Sequence, residues 1–116
     1  MIFIIDDDHE MAECIARAVR PNEARIFKDT IAAISALDEG ELPSLIFLDI
    51  LLDGPDGFTF LNELSSYSDT AKIPVVIISS LNLAQKSLEN YGVVGVLDKA
   101  MMTPKDIQKF VKRELS

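Results

Sequence analysis

Tryptophan is absent from this sequence of 116 residues, and cysteine and histidine occur once each, as Cys14 and His9. A single cysteine excludes an internal disulfide framework. One histidine with one cysteine cannot assemble a zinc site of nitrogen and sulfur ligands. Positive charge is scarce: 11 Lys and Arg stand against 19 Asp and Glu, a formal net charge of −8. Surfaces that bind phosphate backbones or anionic membranes carry excess Lys and Arg, so direct nucleic-acid and membrane binding are not expected. A cation or a basic partner surface suits this charge better. No apolar run approaches the roughly 18 residues that a spanning helix needs. No Gly-x-Gly-x-x-Gly or Walker-type loop occurs, which disfavours nucleotide binding. No basic segment with an apolar stretch and cleavage site precedes the first strand-like run, so a cytoplasmic, reducing location is expected.

What is present suits one folded domain, residues 1–116. The length matches a single-domain prior, and 48% hydrophobic residues can build a core. Residues 2–6 read as a first strand, apolar until Asp6, as expected of a strand covered on both faces. Met11, Cys14, Ile15, Ala18 and Val19 then recur at helical spacing, which predicts a buried thiol at Cys14. That helix should stop before Pro21. Ala24 to Phe27 is a short second strand. Ile31, Ile34 and Leu37 mark a second helix, with Gly40 placed as its C-terminal cap. Leu45 to Asp49 is the third strand. Phe58, Leu61 and Leu64 mark a third helix, started by Asp56 and Gly57 after a turn-rich loop. Ile73 to Ser79 is the fourth strand, Leu83 to Tyr91 a short fourth helix and Val93 to Asp98 the fifth strand. Thr103 caps a last helix whose inner face is Ile107, Phe110, Val111 and Leu115. Strands alternating with helices imply a doubly wound parallel sheet, here in the flavodoxin-like order 2-1-3-4-5. No linker, repeat or low-complexity stretch interrupts it.

A parallel sheet gathers its C-terminal strand ends along one edge, where ligands bind. The groups delivered there are Asp6 and Asp7 from the first strand, Asp49 from the third, Ser79 from the fourth and Lys99 from the fifth. Magnesium takes six oxygens and usually keeps several waters, so two or three carboxylates and a backbone carbonyl would suffice. Carboxylates clustered without a counter-charge repel one another, and Lys99 can supply that charge. Ser79 can donate to an incoming phosphoryl oxygen. The assembly suits phosphoryl transfer to a carboxylate, with Asp49 as the natural nucleophile. A carboxylate at one strand end is commonly just a solvated loop residue. Suitable groups at several strand ends at once weaken that explanation. Asp49 and Asp53 are too widely spaced for an Asp-x-Asp phosphatase nucleophile motif. His9 reads as a solvated residue opening the first helix, and Asp8 as either a helix cap or a supporting acid. Tyr67 and Tyr91 read as partly buried surface residues.

Taken together, Ile4-Ile5-Asp6-Asp7-Asp8, Leu48-Asp49 followed by Asp56-Gly57, Ile73 to Ser79, and Gly92 to Lys99 resemble the receiver domains of bacterial two-component response regulators, of the chemotaxis-regulator type. The resemblance covers essentially the whole chain. It implies a signalling module rather than an enzyme in the usual sense, one that catalyses only its own phosphorylation and dephosphorylation. Asp49 would accept a phosphoryl group from the phosphohistidine of a histidine kinase or phosphotransfer protein. Asp6, Asp7 and Asp49, with the backbone carbonyl of Leu51, would hold Mg2+ or Mn2+. Ser79 would be the switch hydroxyl and Lys99 the phosphate-binding lysine. The output would be a downstream protein or a second copy, bound on the face of the fourth helix, fifth strand and last helix.

Several positions depart from the family pattern. Val96 stands where an aromatic is usual, and Ala100 where proline usually follows the lysine. A cis bond before a non-proline residue costs about 3 kcal/mol, so a trans Lys99–Ala100 peptide is expected. The loop from Leu51 to Pro55 lacks the usual Met-Pro pair, and the stretch from Ser79 to Lys99 is slightly short, so the fourth helix could be trimmed. Leu51 and Leu81 lie two residues beyond Asp49 and Ser79, at positions that in the family govern water attack on phosphoaspartate. Both are apolar, which implies slow self-dephosphorylation. The alternative reading is a degenerate receiver that serves as a constitutive protein-interaction module.

Overall fold

The computed structural model describes residues 1–50, 57–79 and 91–115. Within them lie five strands: β1 (Ile2–Ile5), β2 (Ala24–Phe27), β3 (Leu45–Asp49), β4 (Val75–Ser79) and β5 (Val93–Asp98). They form one parallel sheet in the order β2-β1-β3-β4-β5, as the alternation predicts. The described helices are α1 (His9–Ala18), α2 (Thr30–Asp38), α3 (Gly57–Ser65) and α4 (Pro104–Leu115). The helix expected over Leu83 to Tyr91 lies outside the described residues, apart from Tyr91.

The central strands are buried on both faces, because helices cover both sides of the sheet. β1, β3 and β4 are buried at every residue. Alternation along each strand divides the core in two. Phe3, Ile5, Ile46, Leu48 and Ile77 pack with Phe60, Leu61 and Leu64 of α3 and the alanines of α2. Ile2, Ile4, Phe47, Val76 and Ile78 pack with Ala12 and Ile15 of α1 and Ile107 of α4. Phe3 meets Phe27 edge to face at a centroid distance of 4.7 Å, a geometry favoured by the ring quadrupoles.

Helix boundaries follow local chemistry. The Asp8 side chain accepts from the Met11 amide and caps α1, which settles its role there. Asp29 does the same for α2 through Ala32. Gly40, just past α2, has φ of 95°, a conformation that an L side chain would resist. The side chain of Asp106 accepts from the Thr103 amide while the Thr103 hydroxyl accepts from the Asp106 amide, a reciprocal cap at the start of α4.

Four expectations need correction. Phe58, read as a marker of the third helix, is 44% exposed, because α3 turns Phe60, Leu61 and Leu64 inward. Cys14 is exposed, not buried. The inward line of α1 is Ala12, Ile15 and Ala18, and Cys14 lies about 100° around the helix from Ile15. Ile31 is 63% exposed, because α2 turns Thr30, Ala33 and Ala36 inward and leaves Ile34 and Leu37 only partly buried. Tyr67, at 56%, is exposed rather than partly buried. The remaining differences are at edges: Asp6 follows β1 rather than ending it, and β4 begins at Val75, after Pro74.

Two glycines allow close approaches. A Cβ on Gly57 would stand 2.6 Å from Ile50 Cδ1 and 2.9 Å from Ile50 Cα, so α3 starts hard against the residue after Asp49. A Cβ on Gly95 would stand 2.2 Å from Phe110 Cζ, so the α4 ring lies directly on β5.

Candidate functional site

The register carries the polar strand ends to one edge. Ile5 pairs with Leu48, Asp49 with Ile78, and Ser79 with Asp98. Asp6 stays beside β2 because its amide donates to the Phe27 carbonyl at 3.0 Å. One carboxylate oxygen each from Asp6, Asp7 and Asp49 lies within 4.8 Å of the others. Asp6 and Asp49 are buried and Asp7 is exposed, which leaves the cluster open to solvent on one side.

Lys99 reaches into this cluster. Its Nζ lies 3.0 Å from Asp49 Oδ2 and 3.4 Å from Asp6 Oδ1. The backbone sets this reach: the Lys99 amide donates to the Ser79 carbonyl at 2.8 Å. Beyond it, the Ala100 amide donates to the Asp98 side chain at 2.8 Å, and the Met102 amide to the Asp98 carbonyl at 2.8 Å. Asp98 thus closes the turn that follows the lysine. Sequence reasoning gave Asp98 no task, although an Asp two residues before the turn amide is a recognised local signal. The described structure places its one cis peptide at Arg20–Pro21, so Lys99–Ala100 is trans, as Ala100 implies. Ser79 ends β4 fully buried, next along the edge from Asp49.

Electrostatics distinguish the members. Asp6 Oδ1 accepts from the Asp8 amide at 2.9 Å, whereas Oδ2 is buried with no partner among the described residues. Burial raises the Asp6 carboxyl from 3.8 to about 6, with a further push from Asp49; the Asp8 amide and Lys99 oppose this. Burial works against the Lys99 ammonium, but the hydrogen bond to Asp49 and the charges of Asp6 and Asp49 prevail and hold its pKa above the ordinary lysine value. A buried polar atom without a partner is uncommon in folded proteins. Here it belongs to an all-oxygen donor set, the chemistry that hard divalent cations select. The residues present therefore fit magnesium or manganese.

Of the residues singled out from sequence, Asp6, Asp7, Asp49 and Lys99 meet directly, and Ser79 joins them through its backbone bond to Lys99. Leu51, Asp53, Asp56 and Leu81 lie outside the described residues. His9 is solvated, with Nε2 3.5 Å from Glu13. Val96 is half-buried against the core on the α2 and α3 side.

The sequence matches the family described as response regulator receiver domain over residues 2–112. It is 32% identical to the response regulator PleD of Caulobacter vibrioides over 89 residues, 70% of this chain and 18% of PleD. It is 27% identical to the DNA-binding dual master transcriptional regulator RpaA of Synechocystis over 117 residues, 97% of this chain and 46% of RpaA. The chain thus spans less than half the length of either relative. The receiver domain of NtrX from Brucella abortus superposes with a TM-score of 0.85 at 25% identity, covering 99% of this chain and 98% of that one.

Proposed function

Because the chain belongs to the response regulator receiver domains of two-component signalling, we propose that residues 1–116 form a single receiver in which Asp49 is the phosphoacceptor of a phosphorylation-gated switch. Receiver domains exchange signals with histidine kinases or phosphotransfer proteins and with downstream effectors. The observation that carries this reading is the buried Asp49 carboxylate, ending β3 with Lys99 Nζ at 3.0 Å and Asp6 and Asp7 beside it.

In this mechanism an Asp49 oxygen attacks the phosphorus of a partner's phosphohistidine. The P–N bond breaks, its electron pair stays on the imidazole nitrogen, and the phosphoryl group ends as an acyl phosphate on Asp49. Asp6, Asp7 and Asp49, with the Leu51 carbonyl, would hold Mg2+ or Mn2+, which when bound neutralises charge on the transferring oxygens. Lys99 holds Asp49 in place and then pairs with a phosphoryl oxygen. The Ser79 hydroxyl donates to another, drawing the end of β4 toward Asp49. Since the Ser79 carbonyl already holds the Lys99 amide, the movement passes to β5 and to the face beside it. That face binds a downstream protein or a second copy. The module works in the cytoplasm, touches neither nucleic acid nor membrane, and turns over nothing but its own phosphoryl group.

A second reading, a constitutive interaction module, draws on Val96 and Ala100. Incubation with magnesium and acetyl phosphate or beryllofluoride separates the two. The switch requires a phosphoryl increment in intact mass, or a beryllofluoride-dependent spectral change, absent in Asp49→Asn. An unmodified mass and unchanged spectra in the folded wild-type protein would leave the constitutive reading standing.

A further inference from the structure

A second feature lies at the other end of the molecule. Residues of α2, of α3 and of the segment after α3 line a cleft of about 230 Å³. Its floor is apolar, built from Ile34, Leu37, Phe60 and Leu64. Its rim carries Asp38, Glu63 and Asp69, with Tyr67 at 56% exposure beside them. Among the described residues, no lysine or arginine lines the cleft. None of the three rim carboxylates forms an ion pair or hydrogen bond among the described residues. One wall is pinned from inside, since the buried Thr70 hydroxyl donates to the Leu64 carbonyl at 2.6 Å.

Size and charge together select the occupant. Pockets for whole small molecules usually exceed about 300 Å³, so this cleft suits one or two inserted side chains. An apolar floor beneath an uncompensated acidic rim complements a lysine or arginine, whose methylene stem covers apolar surface while its charged head stays at the rim. The exposed Tyr67 ring can add a cation–π contact. We propose that the α2–α3 cleft docks a basic amphipathic segment of a partner protein. Helices that connect parallel strands run against them, so the ends of α2 and α3 that form the cleft lie at the sheet edge away from Asp49. The cleft therefore holds its partner whatever the state of Asp49, as an anchor separate from the switch.

The test is an NMR titration of the full chain with a short peptide of alternating lysine and leucine, and with its glutamate-for-lysine counterpart. The basic peptide should shift amides from Ile34 to Asp38 and from Glu63 to Thr70, and the acidic one should not. Asp38→Asn, Glu63→Gln and Asp69→Asn are exposed changes, and each should weaken binding about threefold to fivefold, with further loss as salt is raised. Asp49→Asn should bind unchanged, so failure of the switch reading leaves this one testable. Equal binding of both peptides, shifts centred on another face, or no shifts at millimolar peptide would overturn the proposal. So would concentration-dependent shifts of the same amides without peptide, which would identify a second copy as the occupant.

Discussion

Neutralising Asp6 should stabilise the metal-free protein, although it removes a partner of Lys99. The folded carboxyl keeps its proton up to about pH 6, while the unfolded chain releases it near 3.8. Between those values the folded state binds more protons, so its stability falls as pH rises through that window. At about 1.4 kcal/mol for each tenfold change in acidity, holding Asp6 ionised costs about 3 kcal/mol at neutral pH. In Asp6→Asn the amide keeps buried polar atoms and still accepts from the Asp8 amide, so a gain of about 1 to 2 kcal/mol is expected. For a domain of this size that raises Tm by roughly 4 to 10 °C. The assay is thermal unfolding in chelator at pH 7.5 and pH 5, then with magnesium. The variant should exceed wild type in chelator at pH 7.5 and approach it at pH 5. With magnesium the order should narrow or reverse, because a ligand at a hundred times its Kd adds about 2.7 kcal/mol to the protein that binds it. A variant less stable than wild type in chelator at pH 7.5 would refute the account, since Asp6 would then be a net contributor through Lys99.

Other consequences follow from the same geometry. Lys99→Met should cost about 1 to 3 kcal/mol at neutral pH by leaving Asp6 and Asp49 without their cation, and should tighten magnesium binding while lowering acetyl phosphate labelling; urea unfolding and metal titration measure both. Gly95→Ala should destabilise by about 1 to 3 kcal/mol, because its Cβ would stand 2.2 Å from Phe110 Cζ, and Phe110→Leu in the same chain should recover part of the loss. Phosphorylated wild-type protein should persist for minutes or longer in magnesium at neutral pH, given Leu51 and Leu81; decay of the phosphorylated mass within seconds would contradict this.

The fold was legible wherever burial writes a pattern into the chain. β1, β3 and β4 are buried runs because helices cover both faces, and five strands separated by helical spacing admit few topologies. The same logic predicted which candidate residues would lie together, since parallel strands deliver their last residues to one edge. Periodicity was weaker where a helix is apolar over most of its circumference. In α2, Ile31 matched the spacing and is exposed, because the smaller Thr30, Ala33 and Ala36 let the helix sit closer to the sheet. Cys14 misled for a related reason: beside Ile15 it reads as core, but Ala12 provides the closer approach.

What spacing could not reveal is how the lysine is aimed. Lys99 reaches Asp49 through two backbone devices: its amide on the Ser79 carbonyl and the Asp98 side chain on the Ala100 amide. The first depends on strand register between segments far apart in sequence, whereas the second is a local turn whose value shows only once the register has placed Lys99 beside Asp49. They also bear on the two departures from the family pattern. The Asp98 turn holds the lysine with a trans peptide, so Ala100 by itself does not displace Lys99 from the carboxylates. Val96 has no such substitute, because a β-branched side chain half-buried against the core has few rotamers with which to answer a change at Ser79. If the switch operates, its movement must travel through the backbone tie between Ser79 and Lys99 rather than through a swinging ring. The amides of β5 and the start of α4 should then respond to beryllofluoride before any side chain at Val96 does.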